Sequence, residues 1–337
     1  MATCIGVLGI GVVVSDPAQL IEKIRATLAP CRLGDWPTPL DRAAALGGAV
    51  GIAELTVKRE DRSSARYGGN KVRALEFLLA GARPGTVFVT LGGTGSTHCL
   101  ATAVHAAAAG GRAVLAQFPQ PETPASRAVA SACRARAALV VHARARASLP
   151  LAVLDAWHRA GALGPRRWIA GGGAHPRAVV GHLLAGLELA GQLASPPDAI
   201  VLPLGTGGTA AGLALAVTVL GWPTRVVGVR VAPRIVANRW RTTWLAYAAR
   251  RLLAHRAVPL PAPRSLDIVD GLGEGYGHPT PEGEAAERLA SEHGLTLDPT
   301  YGAKAFAVLL QRGTCNVQRV VFWHTFAVPV PQLECAP

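Results

Sequence analysis

Lysine is scarce in this sequence. Lysine and arginine together number 34 among the 337 residues, and lysine supplies only Lys23, Lys58, Lys71 and Lys304. Because arginine is used wherever any cation suffices, a lysine in a special setting indicates a task that requires an amine; a guanidinium cannot form a Schiff base. Lys71 has such a setting, since it follows Gly68-Gly69-Asn70 and precedes an apolar helical pattern. An ordinary surface lysine after a turn is the competing interpretation.

Long apolar runs are missing as well. No run of about 18 apolar residues occurs, so we expect no membrane-spanning helix. Residues 1–14 are apolar but carry no basic leader, and we expect a strand-like arm rather than a signal peptide. The six cysteines form no CxxC pair, which argues against a zinc site or a disulfide framework. We therefore expect a cytoplasmic protein with reduced thiols and no metal site.

Acidic residues are few, and their small number leaves a formal net charge of +13. Such a charge is common in proteins that bind nucleic acid. The arginines are scattered, however, and accompany abundant alanine, glycine and proline, so we expect no nucleic-acid partner. The densest basic segment, 234–256, interleaves arginines with Trp240, Trp244 and several leucines. This pattern predicts an amphipathic helix with its basic face in solvent.

Short apolar runs alternate with helical patterns along most of the chain. The predicted strands lie at 52–59, 87–90, 113–118, 140–141, 200–204, 226–231 and 320–323. The predicted helices lie at 15–30, 99–109, 125–137, 149–160, 178–190, 210–219 and 281–294, and the proline-rich segment 258–264 is predicted to be a surface connection. Strands that alternate with helices imply an α/β fold, with open parallel sheets covered by helices on both faces.

Three glycine-rich turns stand where helices are predicted to begin, at 67–71, 90–98 and 203–209. Such turns present backbone N–H groups and a helix N-terminus to an anion. The amine of Lys71 and a phosphate cradle at Gly205-Thr206-Gly207-Gly208-Thr209 together could hold pyridoxal phosphate (PLP) by both ends. The same loop nearly fits a dinucleotide fingerprint, and an arginine, Arg230, stands where a ribose ligand is expected. An NADP-dependent oxidoreductase therefore stays open as an alternative.

These motifs resemble a known family. The segments 57–61, 67–79, 95–98, 205–212, 275–283 and 297–304 follow one another as in the D-cysteine desulfhydrase and 1-aminocyclopropane-1-carboxylate (ACC) deaminase group of PLP enzymes. The resemblance covers roughly residues 32 to 326. It implies the two-lobed, tryptophan synthase β-like fold (fold type II), with PLP between the lobes. Residues 1–74 and 186–337 would form a large discontinuous PLP-binding domain, and 75–185 a smaller inserted domain. We also expect a homodimer.

The resemblance implies roles for individual residues. Lys71 would form the internal aldimine with PLP and then serve as base or acid at the substrate Cα. The implied catalytic set is Lys71, Ser96, Tyr276 and Tyr301. The implied cofactor ligands are Asn70, Lys71, Thr97, Gly205, Thr206, Gly207, Gly208, Thr209 and Thr325, and the substrate ligands are Ser96, Thr97 and His98. His98 would exchange protons near neutral pH or simply cap or pack its helix.

Several positions depart from the family pattern. Ala74 replaces a lysine, Thr97 replaces an asparagine, and Gly302 replaces the glutamate that faces the pyridine nitrogen in ACC deaminases. Phe326 and Ala327 replace two glycines. A threonine hydroxyl from Thr325 stabilises a protonated pyridine ring less than a carboxylate does. We therefore expect β-elimination from a small amino acid resembling D-cysteine rather than ACC ring opening. A PLP-binding protein with weak or lost catalysis is the alternative that these departures raise.

Overall fold

The computed structural model describes residues 16–264, 266–312 and 317–326. The helices are α1 (Pro17–Leu28), α2 (Ala44–Ala49), α3 (Lys71–Leu79), α4 (Thr97–Ala108), α5 (Pro124–Arg136), α6 (Leu149–Gly161), α7 (Pro176–Gln192), α8 (Gly208–Val219), α9 (Arg239–Ala254), α10 (Pro281–Glu292) and α11 (Gly302–Arg312). The strands are β1 (Leu40–Arg42), β2 (Glu54–Arg59), β3 (Val87–Gly93), β4 (Arg112–Phe118), β5 (Leu139–His142), β6 (Arg166–Trp168), β7 (Ala199–Leu204), β8 (Arg225–Arg230), β9 (Asp267–Asp270) and β10 (Arg319–His324).

The strands form two sheets. The smaller sheet has the order β5-β4-β3-β6, and its strand pairs are all parallel. The larger sheet has the order β1-β2-β10-β7-β8-β9, and only the edge pair β1–β2 is antiparallel. The α/β class with parallel sheets is therefore confirmed. The local cause is visible in β7, whose six residues are all buried, as expected for a strand covered on both faces.

Strand β10 brings a late part of the chain next to an early part in the larger sheet. It pairs with β2 on one side and with β7 on the other, so a late segment completes a sheet that the first sixty residues began. The predicted domain boundaries at 74/75 and 185/186 fall inside α3 and α7. Helix α7 packs against α3, α8 and α9. The division into two domains stays a prediction.

Most predicted elements are present, with shifts of a few residues at their ends. The missed strands are β1, β6 and β9, which are only three or four residues long and contain charged residues. Helices α2 and α11 were not predicted: α2 contains the Gly47-Gly48 pair, which disfavours a helix, and α11 begins within the 297–304 turn motif. The apolar segment 1–14 and Ala327 lie outside the described residues.

The prediction for α9 is wrong in one respect. The helix forms, and Leu245 and Leu253 are buried as expected. Trp240 and Trp244, which we placed on its apolar face, are 77% and 53% exposed. The segment 258–264 is likewise not all surface, since Val258 and Leu260 are buried in the core that includes α1 and α9. Burial here depends on which face the neighbouring helices cover, and composition does not reveal that.

The described helices include none that is long and apolar enough to cross a membrane.

Candidate functional site

The Lys71 turn is fixed by the end of β10. Gly69 has a φ of +108°, a conformation that favours glycine. A Cβ atom at this position would lie 3.0 Å from the Phe326 ring and 3.3 Å from the Thr325 carbonyl oxygen. The Asn70 N–H donates to that same carbonyl oxygen at 2.8 Å. Glycine is required here because the Gly69 backbone lies close to Thr325 and Phe326. This contact fixes the position of Lys71, the first residue of α3.

A buried ion cluster anchors the helix that starts at Lys71. The Arg73 guanidinium, 1% exposed, donates to Glu60 at 2.7 Å and to Glu188 at 2.8 Å. Burial alone would raise the pKa of Glu60, but Arg73 outweighs it and lowers that pKa. The sequence suggested that Arg73 either supports the site electrostatically or lies on a helix surface. The surface interpretation is wrong, because the Arg73 side chain is buried and paired with Glu60 and Glu188.

The Gly205–Thr209 loop connects β7 to α8 and offers an open anion cradle. Gly207 has a φ of +89° and precedes the helix without a side-chain cap, so the first N–H groups of α8 are left without side-chain acceptors. A Cβ atom at Gly205 would meet no described atom within 4 Å. Thr209 accepts a hydrogen bond from Asn70 Nδ2 at 2.9 Å, which ties the loop to the Lys71 turn. An uncapped helix N-terminus beside the half-buried Lys71 amine fits the phosphate and aldehyde ends of PLP.

The dinucleotide alternative fits less well. Arg230, which would face a ribose phosphate, pairs instead with Asp270 at 2.8 Å and donates to the Ala237 carbonyl oxygen at 3.0 Å. Its guanidinium is therefore already occupied.

Residues 96–98 form the start of α4, directly after β3. Ser96 caps the helix, since its Oγ accepts from the Cys99 N–H at 3.3 Å. The His98 Nε2 lies 2.9 Å from the Thr90 hydroxyl. Burial, and secondarily the nearby Lys71 ammonium, lowers the pKa of His98 to about 3. His98 is therefore neutral at pH 7, and the proposed proton exchange near neutral pH does not fit this position.

Tyr276 and Tyr301 form a pair. Their hydroxyl oxygens are 2.6 Å apart, and burial raises the pKa of Tyr276 to about 12 and also raises that of Tyr301. Both phenols therefore keep their protons at neutral pH.

Asp298, which the sequence did not single out, positions the Tyr301 turn. Its carboxylate accepts from the N–H groups of Tyr301 and Gly302 at 2.7 and 2.8 Å. Burial raises the pKa of Asp298 to about 6, although these N–H groups favour the charged form. A Cβ atom at Gly302 would lie 3.0 Å from the Asp298 carboxylate, so the space for a side chain is tight. The Asp-Pro-Thr-Tyr sequence was the available signal.

Ala74 and Phe326, which also depart from the family pattern, pack against neighbouring parts of the chain. Ala74 is buried, and a Cβ atom at Gly173 would lie 3.5 Å from it. Phe326 packs on Tyr67 with ring centroids 5.4 Å apart. The Gly171–Gly173 turn, for which no role was predicted, approaches the Thr206 side chain, and Gly172 has a φ of +66°. These contacts place the segment between β6 and α7 next to the Gly205–Thr209 loop.

Two adjoining cavities bring the predicted residues together. The first is lined by Asn70, Lys71, Thr97, Gly205 to Thr209, Tyr301 and Thr325. The second, of about 560 Å³, shares Lys71, Gly205, Thr206 and Tyr301 with the first and adds Ser96, His98 and Tyr276.

Burial lowers the pKa of Lys71 to about 8, which favours its neutral amine. Within the described parts of the chain, no group of three or more His, Cys, Asp or Glu could hold a metal ion.

Comparison with known proteins shows the family to which the chain belongs. The family model of pyridoxal-phosphate-dependent enzymes matches residues 31–325. A nocardicin C-9′ epimerase from Nocardia uniformis subsp. tsuyamanensis is 36% identical over 80% of this chain and 85% of its own length. A D-cysteine desulfhydrase from Klebsiella pneumoniae (strain 342) is 30% identical over 87% of this chain and 92% of its own.

A crystal structure of an ACC deaminase homologue superimposes with a TM-score of 0.80 at 27% identity, covering 90% of this chain and 94% of that one. A threonine deaminase from Solanum lycopersicum has the same fold at a TM-score of 0.63 and 17% identity, covering 97% of this chain and 90% of that one. The fold type II prediction is therefore confirmed. The chain belongs to the pyridoxal-phosphate-dependent enzymes, in the group of D-cysteine desulfhydrase and ACC deaminase, and its cofactor is PLP.

Proposed function

We propose that this enzyme removes the Cα proton of an amino acid and then expels a substituent from Cβ, as a D-cysteine desulfhydrase would. The observation that carries the proposal is that one cavity contains both the Lys71 amine and the Tyr276–Tyr301 pair. A neutral amine can accept a proton from Cα, and protonated phenols can donate one to a leaving group. With both groups around one substrate, proton removal at Cα and protonation of the leaving group can occur in the same cavity.

PLP, when bound, supplies an electron-withdrawing ring that stabilises negative charge at the substrate Cα. Lys71 would hold the cofactor's aldehyde end, and the N-terminus of α8 with Thr206 and Thr209 would hold its phosphate. Thr325 lines the same cavity and would face the pyridine nitrogen.

The protein's own groups would handle the substrate. Ser96 and the N-terminus of α4 would bind its carboxylate, with Thr97 beside the ring. Lys71 Nζ would move the Cα proton, because its lowered pKa leaves more free amine at neutral pH than an ordinary lysine has. The tyrosine pair would protonate the leaving group.

Elimination from D-cysteine is preferred over ACC ring opening, because Gly302 places no carboxylate at the pyridine nitrogen. Keto-acid release from D-cysteine, β-chloro-D-alanine and ACC tests this preference. We expect turnover of the first two compounds to exceed that of ACC. Faster turnover of ACC than of both others would contradict it.

Cα epimerisation is a second candidate, which the relative named nocardicin C-9′ epimerase favours. Epimerisation needs two groups that exchange protons at Cα, and Lys71 and Tyr301 line the same cavity. In D₂O, an epimerase would place deuterium at Cα and yield the opposite enantiomer without keto acid. A protein with lost catalysis would retain PLP and do neither.

We also propose a cytoplasmic homodimer without a nucleic-acid partner. Cys31, Cys99 and Cys133 are free thiols, which suits a reducing compartment. Trp240, Trp244 and Tyr247 form an exposed stripe along α9, and such stripes are common at subunit contacts. Light scattering after size-exclusion chromatography would measure the mass, and a monomer would refute the dimer.

A further inference from the structure

The second cavity is larger than a small amino acid requires. Its volume of about 560 Å³ lies within the range of sites that bind drug-sized ligands. The first cavity, at the α8 N-terminus, provides the phosphate site, and the cofactor ring would occupy the part of the second cavity next to Lys71, which lines both. The side chain of cysteine has one carbon and one sulfur atom. Such a substrate and the cofactor ring together would fill only part of the second cavity.

The part of this cavity that does not belong to the cofactor site is largely apolar. Its lining includes Phe118, Leu149, Pro233, Ile235 and Val236. Ile235 is 85% exposed.

Local hydrogen bonds fix the conformation of the segment that contains Ile235. The Val236 N–H donates to the Pro233 carbonyl oxygen at 2.8 Å, and Asn238 Nδ2 donates to the carbonyl oxygens of Arg234 and Ile235 at 2.9 and 3.2 Å. The apolar side chains are therefore held at the cavity mouth, where an apolar ligand would cover them.

Two arginines complete the wall of this cavity. Arg146 and Arg241 line the cavity, and none of the described residues that line it is Asp or Glu. The Arg241 Nε is buried and has no hydrogen-bond partner among the described residues. Asp270, the carboxylate beside this turn, is already bound by Arg230 and Arg234 at 2.8 and 3.2 Å.

Arg241 also lies in the first turn of α9, which contains no acidic residue. The helix dipole disfavours a cation at a helix N-terminus and favours an anion there. An anion bound by Arg241 would therefore relieve an unfavourable arrangement.

A row of side chains connects the reactive tyrosines with the second arginine. The Phe118 ring centroid lies 6.3 Å from that of Tyr276, and the Arg146 guanidinium carbon lies 5.7 Å from the Phe118 centroid. A substrate whose Cα lies at Lys71 would thus pass an aromatic surface before it reached a cation. Arg146 comes from the small-sheet side of the cavity and Arg241 from the large-sheet side.

We infer that the substrate is an amino acid with an extended apolar or aromatic side chain that ends in an anionic group, bound between Arg146 and Arg241. This inference rests on the proposed function, since it assumes that an amino acid reacts at Lys71. It assigns substrate choice to residues outside the cofactor motifs.

The test compares two probes of the same shape, 4-carboxyphenylalanine and 4-carbamoylphenylalanine, as both enantiomers, with D-cysteine and alanine as small references. The change in cofactor absorbance of the PLP-loaded enzyme gives each half-saturating concentration. We expect the carboxylate probe to bind about tenfold or more tightly than the carboxamide, because charge-assisted hydrogen bonds to arginine are stronger than neutral ones.

Variants separate the arginines from general effects of charge. In Arg146→Gln and in Arg241→Gln, the preference for carboxylate over carboxamide should fall towards one. Arg144→Gln and Arg239→Gln remove a neighbouring charge that does not line this cavity, and they should keep the preference. Because each variant is judged by a ratio, a modest loss of stability does not affect the result.

Equal binding of the two aromatic probes, or an unchanged ratio in both cavity variants, would overturn the inference. If D-cysteine or alanine alters the cofactor spectrum and neither aromatic probe does, the proposed function stands and the inference fails. If no amino acid alters the spectrum, both fail.

Discussion

Lys71 owes its chemical character to its surroundings. It is half-buried at the meeting of two cavities, and burial lowers its pKa to about 8 from the ordinary lysine value. With this pKa, Lys71 has far more neutral amine near physiological pH than an ordinary lysine, and the neutral amine can act as nucleophile and as base. The other lysines of the site region are engaged differently: the Lys304 ammonium donates to the Leu272 carbonyl oxygen at 2.7 Å, and Lys58 donates to Gln192 at 2.7 Å.

We predict that Lys71 in cofactor-free protein reacts with an amine-acylating reagent with a midpoint near pH 8. Burial disfavours the ammonium, so the reactive amine appears at lower pH than in the unfolded chain, where lysine titrates at about 10.4. Peptide mass mapping across pH measures this, with the denatured protein as control. Identical midpoints in the native and denatured samples would show that burial does not perturb this amine.

The tyrosine pair provides a second prediction. Tyr301→Phe and Tyr276→Phe should lower turnover on the order of 100- to 10,000-fold, because each removes a proton donor, and PLP content should stay that of the parent. Tyr247→Phe is the matched control, since that tyrosine is 44% exposed on α9. Parent-like turnover in both site variants would make the pair structural.

Among the elements, α3 depends most on a buried charge cluster. Arg73 joins Glu60 near the end of β2 to Glu188 on α7, so three elements meet at one guanidinium. Removal of one member of a buried pair leaves an uncompensated charge, which is costly. The same ion pairs therefore both position the Lys71 turn and stabilise the fold.

We predict that Arg73→Gln lowers the free energy of unfolding by about 3–5 kcal/mol. Arg62→Gln, which breaks an exposed pair with Asp41, should cost no more than about 1 kcal/mol. Urea titration measures both.

The difference between parent and Arg73→Gln should also depend on pH. The pKa of Glu60 is lowered in the parent fold, so its carboxylate stabilises the fold above its unfolded pKa and loses this contribution as the pH falls. The advantage of the parent over Arg73→Gln should therefore shrink in acid. A small loss at pH 7, or a difference that grows in acid, would contradict this account of the cluster.

In the whole molecule, the site exists because the end of β10 returns to the Lys71 turn. Thr325 and Phe326 contact Gly69 and Asn70 across most of the sequence. The α8 loop joins the same turn through Asn70 and Thr209.

We predict that Gly69→Ala destabilises the protein by about 1–3 kcal/mol and weakens PLP retention, since a Cβ atom would add strain at positive φ and crowd Phe326. Gly81→Ala separates the two effects, because its φ is +63° and a Cβ there meets no described atom within 4 Å. Thermal unfolding and PLP content after gel filtration provide the readouts. Equal effects of the two changes on PLP retention would show that the contact with Phe326 is unimportant.

The sequence predicted the parts of the site that depend on local chemistry. The Lys71 turn could be found because two glycines stand just before a lone lysine in the chain. The Gly205 loop could be found because its glycines lie close together between a strand pattern and a helix pattern. Arg73 could not be placed, because its partners Glu60 and Glu188 come from distant elements. The arginines Arg146 and Arg241 were likewise invisible as a pair, since only the fold brings them to one cavity.

The central claim is that Lys71 binds PLP. Borohydride reduction of the purified protein followed by peptide mass mapping tests it most directly, because reduction fixes the cofactor to the amine that holds it. We predict a pyridoxyl group on the Lys71 peptide and none on the peptides of Lys58 or Lys304. An unmodified Lys71 in protein that contains PLP, or a pyridoxyl group on another lysine, would contradict the account.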